Sequence, residues 1–182
     1  LFQMGANVGT GKALKLLSQE LVLENNQQKA PAIPSTDFRK RWLELSANKF
    51  SSQALEYLEK QRALTGIIPE LRHKMLVSFD PGWKPSGAIV FPISDREGKK
   101  LLGLQYIPSD GSPKKFAKGT SGKEGFFCFG DGNDFLVVTE AIIDGLSAWC
   151  ACNHSCSIEV VSILSAGKGY LQKLKSLAHP VP

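Results

Sequence analysis

Two carboxylates four residues apart, Glu140 and Asp144, stand where an apolar run gives way to a helical pattern in FLVVTEAIIDGLSAW, residues 135–149. That spacing is about one helical turn, so Asp144 can project near the same rim as Glu140. Two hard oxygen donors there can hold Mg²⁺, which keeps several waters of its own. The competing reading is local: a helix dipole favours acidic residues in its first turn whether or not a metal is near. A second group is basic. Arg96, Lys99, Lys100, Lys114, Lys115, Lys118 and Lys123 crowd one stretch with few acids beside them. In Lys114-Lys115-Phe116 an aromatic ring follows two ammonium groups. That form lets a base or sugar stack while phosphates meet the cations. The plain alternative is a solvated loop face. A third candidate is Ser165-Ala166-Gly167-Lys168-Gly169. Gly167 and Gly169 leave backbone N–H groups open to a phosphate, or simply make a tight turn.

These groups need elements to position them. Phe135–Val138 is short, apolar and rich in β-branched residues, which predicts a buried central strand of a parallel sheet. Ala141, Ile142, Leu146, Ala148 and Trp149 then recur at helical spacing. Ile158–Leu164 predicts a second strand, and Tyr170–Ala178 a second helix with Leu171, Leu174 and Leu177 inward. Strand-helix-strand-helix calls for a parallel sheet with right-handed crossovers. Upstream the pattern differs. Ala88–Ile93 and Leu101–Ile107 flank the turn Asp95-Arg96-Glu97-Gly98, an antiparallel hairpin. Phe126–Phe129 reads as core. Ahead of these lie helices over Asp37–Leu45, with Thr36 as N-cap, over Gln53–Arg62, capped by Ser51 or Ser52, and over Glu70–Met75 after Pro69. Residues 24–36, ENNQQKAPAIPST, read as a linker, and Lys12–Leu23 as a helix with a leucine face. The expected fold class is α+β: residues 1–36 a helix and linker, 37–131 a basic lobe of helices then antiparallel strands, 132–182 a partial α/β subdomain.

Composition narrows the choices. The 182 residues are 42% hydrophobic and 21% charged, with a net charge of +5. That is a globular composition with a modest bias toward anionic partners. No run reaches bilayer-spanning length and no secretory leader is visible, so a cytoplasmic protein with no membrane partner is expected. Cys150, Cys152, Cys156 and His154 crowd one expected helix end, and Cys128 is far from them. Zinc sites want paired ligands at two separated places, so no zinc is expected. LFQMGANVGTGK at the start tempts a P-loop assignment, but Ala6 stands where the first glycine belongs and Ala13 where Ser/Thr belongs.

Taken together, Ala54 to Gly167 resembles the catalytic core of bacterial and phage DNA primases of the DnaG type. Ala54-Leu55-Glu56-Tyr57-Leu58 through Arg62-Ala63-Leu64, then Pro69-Glu70, is similar to that family's "YL..RGL..E" opening. Gly87–Ile93 with Asp95 and Gly98 resembles its "G.ivFPI.d..G" strand and turn. Leu102-Gly103-Leu104-Gln105 resembles the next strand, with Gln105 where the family usually carries Arg. Ser112–Phe116 is similar to its "PKY" segment, and Glu140–Leu146 to the Toprim opening "EG..D.l", with Ala141 in place of glycine.

The resemblance implies a Toprim subdomain in which Glu140 serves catalysis, and Glu140 with Asp144 holds Mg²⁺ or Mn²⁺. It implies that Lys114, Lys115, Phe116, Lys118, Lys99, Lys100 and Gly167 contact nucleic acid or nucleotide. The implied activity is that of a DNA primase, a DNA-directed RNA polymerase of phage, plasmid or mobile-element type. Its partners would be a single-stranded DNA template, nucleoside triphosphates and a replicative helicase. Toprim proteins carry an Asp-x-Asp motif on a third strand, which would begin near His179–Pro182. A fragment ending before that motif, incompletely liganded and inactive alone, is therefore expected. The alternatives are a catalytically inactive nucleic-acid-binding Toprim-like domain, or another Toprim enzyme such as a nuclease or topoisomerase.

Overall fold

The computed structural model describes residues 37–130, 132, 134–152, 157–164, 173–175 and 177, all within one compact unit, Ile33–Pro182. The expected helix Lys12–Leu23, the linker 24–36 and Gly167 lie outside the described residues, as does most of the expected helix Tyr170–Ala178.

The lead-in is helical. Helix α1, Phe38–Ser46, is capped by Asp37, whose carboxylate accepts from the amides of Arg39 and Lys40. The cap is therefore Asp37 rather than Thr36: a side-chain oxygen at this position reaches the free amides of the first turn. Ser51 caps α2, Ser52–Glu56, which passes into a π-helical turn, Tyr57–Gln61. Pro69 lies in the first turn of α3, Ile68–His73, where a missing amide costs nothing.

Four antiparallel strands follow in the order β1-β2-β3-β4: β1, Ser78–Asp80; β2, Ala88–Ser94; β3, Leu101–Pro108; β4, Lys115–Phe116. Strand alternation divides the side chains between two cores. Ala88, Val90, Leu104 and Tyr106 pack with Trp42 and Leu45 of α1. Ile89, Phe91, Ile93 and Ile107 join the larger core with Leu58 and Leu71 from the other helices. Arg41 of α1 pairs with Asp80 of β1 at 2.6 Å, pinning the helix to the sheet edge.

The second sheet has the order β5-β7-β6: β5, Phe127–Phe129; β6, Phe135–Thr139; β7, Ile158–Ser162. Helix α4, Ile142–Cys152, connects β6 to β7, and these two strands pair in parallel. Two expectations are corrected here. The sheet is mixed, because β5 joins β7 antiparallel. The central strand is β7, and β6 is an edge: Phe135 is 62% exposed, and Leu136 and Val138 are exposed too. An apolar run of this length does not say which strand gains two neighbours.

The two sheets are tied directly. Ser94 and Phe126 form a bridge, and Arg96 grips Glu159 of β7 through two hydrogen bonds of 2.5 and 2.7 Å. Among the described residues, no helix is long and apolar enough to cross a membrane.

Candidate nucleotide and nucleic-acid cleft

Helix α4 sits close to its sheet because of Gly145. A Cβ there would lie 2.5 Å from Val160 Cγ1 and 2.9 Å from the hydroxyls of Ser162 and Thr139. Those two hydroxyls are 2.9 Å apart, and both approach the Ala141 carbonyl, at 3.0 and 3.2 Å. This contact fixes the turn between β6 and α4, and with it the positions of Glu140 and Asp144. Both carboxylates are exposed.

Ala141, Ile142, Ile143 and Asp144 form one wall of a cavity of about 250 Å³. The opposite wall comes from β3 and the loop after it: Gln105, Ile107 and Gly111 to Lys114. Tyr57 and Arg62 complete the lining from the helical lead-in. The burial is graded. Tyr57, Gln105, Ile107 and Ile142 are buried and make the floor, while Arg62, Lys114 and Asp144 are exposed and make the rim. The loop bearing Lys114 is ordered by Asp110, whose carboxylate accepts from the Ser112 amide at 2.9 Å. Hydrogen bonds from Ser112 hold that carboxyl below its usual range.

The expected site residues divide accordingly. Lys114 and Asp144 share the cavity, and Glu140 immediately precedes the wall that Asp144 ends. Lys115 and Phe116 form β4, and Phe116 stands directly across from Gln105. Lys118 is exposed just beyond them. Lys99 and Lys100 occupy the β2–β3 turn, at the opposite end of β3 from the cavity. At about 3.3 Å per residue, Lys100 is roughly 17 Å along the strand from Gln105. Arg96 leaves the basic surface altogether, since Glu159 holds its guanidinium and keeps it above its ordinary pKa.

Two members were missed as contributors from the residues alone. Gln105 is 1% exposed, and neither its Oε1 nor its Nε2 has a hydrogen-bond partner. The available signal was one amide in the otherwise apolar run LLGLQYI. Arg62 reaches the rim, with its Nε donating to the Tyr57 hydroxyl at 3.0 Å.

The carboxylate pair suits a hard divalent cation in donor type. Glu140 and Asp144 offer oxygens beside a solvent-reached rim, which matches an ion that keeps waters and takes substrate oxygens. Among the described residues, no group of three or more His, Cys, Asp or Glu side chains converges. Cys128 is in β5, where burial pushes its thiol pKa up. Cys150 and Cys152 are in α4. His154 and Cys156 lie outside the described residues. Comparison with known proteins finds no match to any family model, curated protein or solved structure.

Proposed function

We propose that this chain is part of a Toprim-type DNA primase, and that its cleft takes nucleotide or single-stranded template during RNA primer synthesis. The observation that carries the proposal is the meeting of Asp144, next to Glu140, with Lys114 across one cavity. These residues come from distant parts of the chain and from different sheets' surroundings. A cleft with acid on one rim and base on the other suits a metal-dependent reaction on phosphate esters. Glu140 and Asp144 would hold Mg²⁺ or Mn²⁺, which when bound stabilises charge on the attacked and leaving oxygens. Lys114 and Arg62 meet phosphate oxygens at the rim. Lys115 and Lys118 extend the positive surface, and exposed Phe116 supplies a face for stacking.

The test is binding of a fluorescent single-stranded DNA across a salt series. Each phosphate contact contributes about −0.7 to the slope of log K against log salt for single strands. The double variant Lys114→Glu, Lys115→Glu should bind more weakly, with a slope flatter by about 1.4. Unchanged affinity and slope would remove the basic surface from the proposal. Primer synthesis is followed in parallel with Glu140→Gln. Synthesis that depends on Glu140 would support the primase reading, and synthesis unchanged by Glu140→Gln would remove Glu140 from it.

A further inference from the structure

The lysines and carboxylates of the cleft are exposed groups that water satisfies at little cost. Gln105 is different. It is almost fully buried, it lines the cavity, and its carboxamide has no partner on either atom. Most buried polar side chains in folded proteins are paired, so one left open on both sides calls for a reason. The surrounding fold supplies none. Leu104 and Tyr106, its neighbours in β3, pack with the α1 core, and alternation turns Gln105 with Ile107 to the opposite face. Phe91 faces Gln105 from β2, and Phe116 faces it from β4. Directly paired residues of an antiparallel ladder hold their Cβ atoms about 4.5–5.5 Å apart on one face. The amide therefore has an aromatic ring on each side, and its two polar atoms, without partners and closed to solvent, lie beside the cavity that Gln105 lines.

A carboxamide presents one acceptor beside one donor in a plane. The complementary ligand is a flat group with a donor beside an acceptor, small enough for about 250 Å³ and attached to an anion that reaches Lys114 and Arg62. A nucleobase carrying a phosphate has all of these properties. Asn and Gln make paired hydrogen bonds of this kind to base edges. We infer that the cavity is a nucleobase pocket, with Gln105 reading the edge of the base and Lys114 with Arg62 taking the phosphate. The inference rests on the nucleotide-binding reading above and adds which residue makes that binding depend on a base. Every standard base offers a donor beside an acceptor, so Gln105 makes binding base-dependent without choosing a single base.

The experiment compares AMP with ribose 5-phosphate, which keeps the sugar and phosphate and lacks the base, by calorimetric titration of the full chain. AMP should bind at least tenfold more tightly, and Gln105→Met should reduce AMP to the affinity of ribose 5-phosphate while leaving the latter unchanged. Gln105→Glu, which keeps the shape but replaces the donor by an acceptor, should do the same. Circular dichroism confirms that each variant is folded. A second arm compares a deoxyadenylate oligonucleotide with one carrying an abasic site. A base effect confined to that arm assigns the pocket to a base of a strand rather than to a free nucleotide. Equal affinities with and without the base in both arms, or folded Gln105 variants that bind as the parent does, would overturn the inference. The nucleic-acid reading fails separately, through the Lys114 and Lys115 charge reversal. Salt-dependent strand binding with no base effect leaves that reading standing without the pocket.

Discussion

Gln105→Met should make the protein more stable while removing its ability to sense a base. The substitution nearly conserves volume, so neither a cavity nor overpacking dominates the outcome. What changes is the amide. Each buried polar group left without a partner costs about 1–3 kcal/mol in the folded state. Both amide atoms of Gln105 are in that condition, at 1% exposure. Water that enters the cavity recovers part of the cost, so a gain of about 1–3 kcal/mol is expected rather than the sum of both. For a folded unit of this size each kcal/mol shifts Tm by about 2–4 °C. Urea unfolding followed by tryptophan fluorescence reports the change directly, since Trp42 is buried and Trp83 and Trp149 pack against the cores. The m-value should stay constant and the midpoint should rise. A loss of more than about 1 kcal/mol would mean that the amide is held by fixed waters and serves the fold, contrary to the reasoning.

Other perturbations test the scaffold around the cleft. Glu159→Ala breaks the paired hydrogen bonds to Arg96 and should cost about 1–2 kcal/mol, less in high salt because the pair is partly exposed. Equal unfolding midpoints for parent and variant at low salt would deny the pair a role in joining the sheets. Gly145→Ala drives a methyl into Val160 and the two hydroxyls and should cost about 1–3 kcal/mol. It should also shift the amide NMR signals of Glu140 and Asp144, whereas a loss of stability with those signals unmoved would separate the close approach from the site. Lys173 donates to the carbonyls of Gly122, Gly125 and Ile163 at 2.6–2.7 Å, and burial lowers its pKa to about 8. Between about 8 and its ordinary 10.5 the unfolded chain holds this proton more tightly than the folded chain, so this group makes stability rise with pH across that window. Urea titrations of the parent and Lys173→Met at pH 7.5 and pH 10 should show the parent gaining relative to the variant at the higher pH. A constant difference would remove the burial effect.

Much of the local structure could be read from residue order. The apolar runs Ala88–Ile93 and Leu101–Ile107 around a Gly-containing turn specified the hairpin, but not that both of its faces would be buried. The π-helical turn at Tyr57–Gln61 was not legible, since its residues fit an ordinary helix. Phe135–Val138 was legible as a strand paired in parallel, but not as an edge. The charge run was legible as basic, yet Arg96 could not be separated from Lys114 without knowing that β7 brings Glu159 to the former.

The order of residues by itself determined the chemical inventory: carboxylates at a strand-to-helix junction, lysines beside an aromatic, and periodicities that set one segment antiparallel and another as strand-helix-strand. Those properties are local, carried by the spacing of side chains along one element. Tertiary structure alone decided which of these groups share a cavity. It set Lys114 and Asp144 on one cavity, gave Arg96 to Glu159, and left the Gln105 amide without a partner beside that cavity. The physical reason is that burial and partnership are properties of pairs of surfaces. Packing the two sheets and their helices together desolvates some polar groups with their partners and others, the Gln105 amide among them, without.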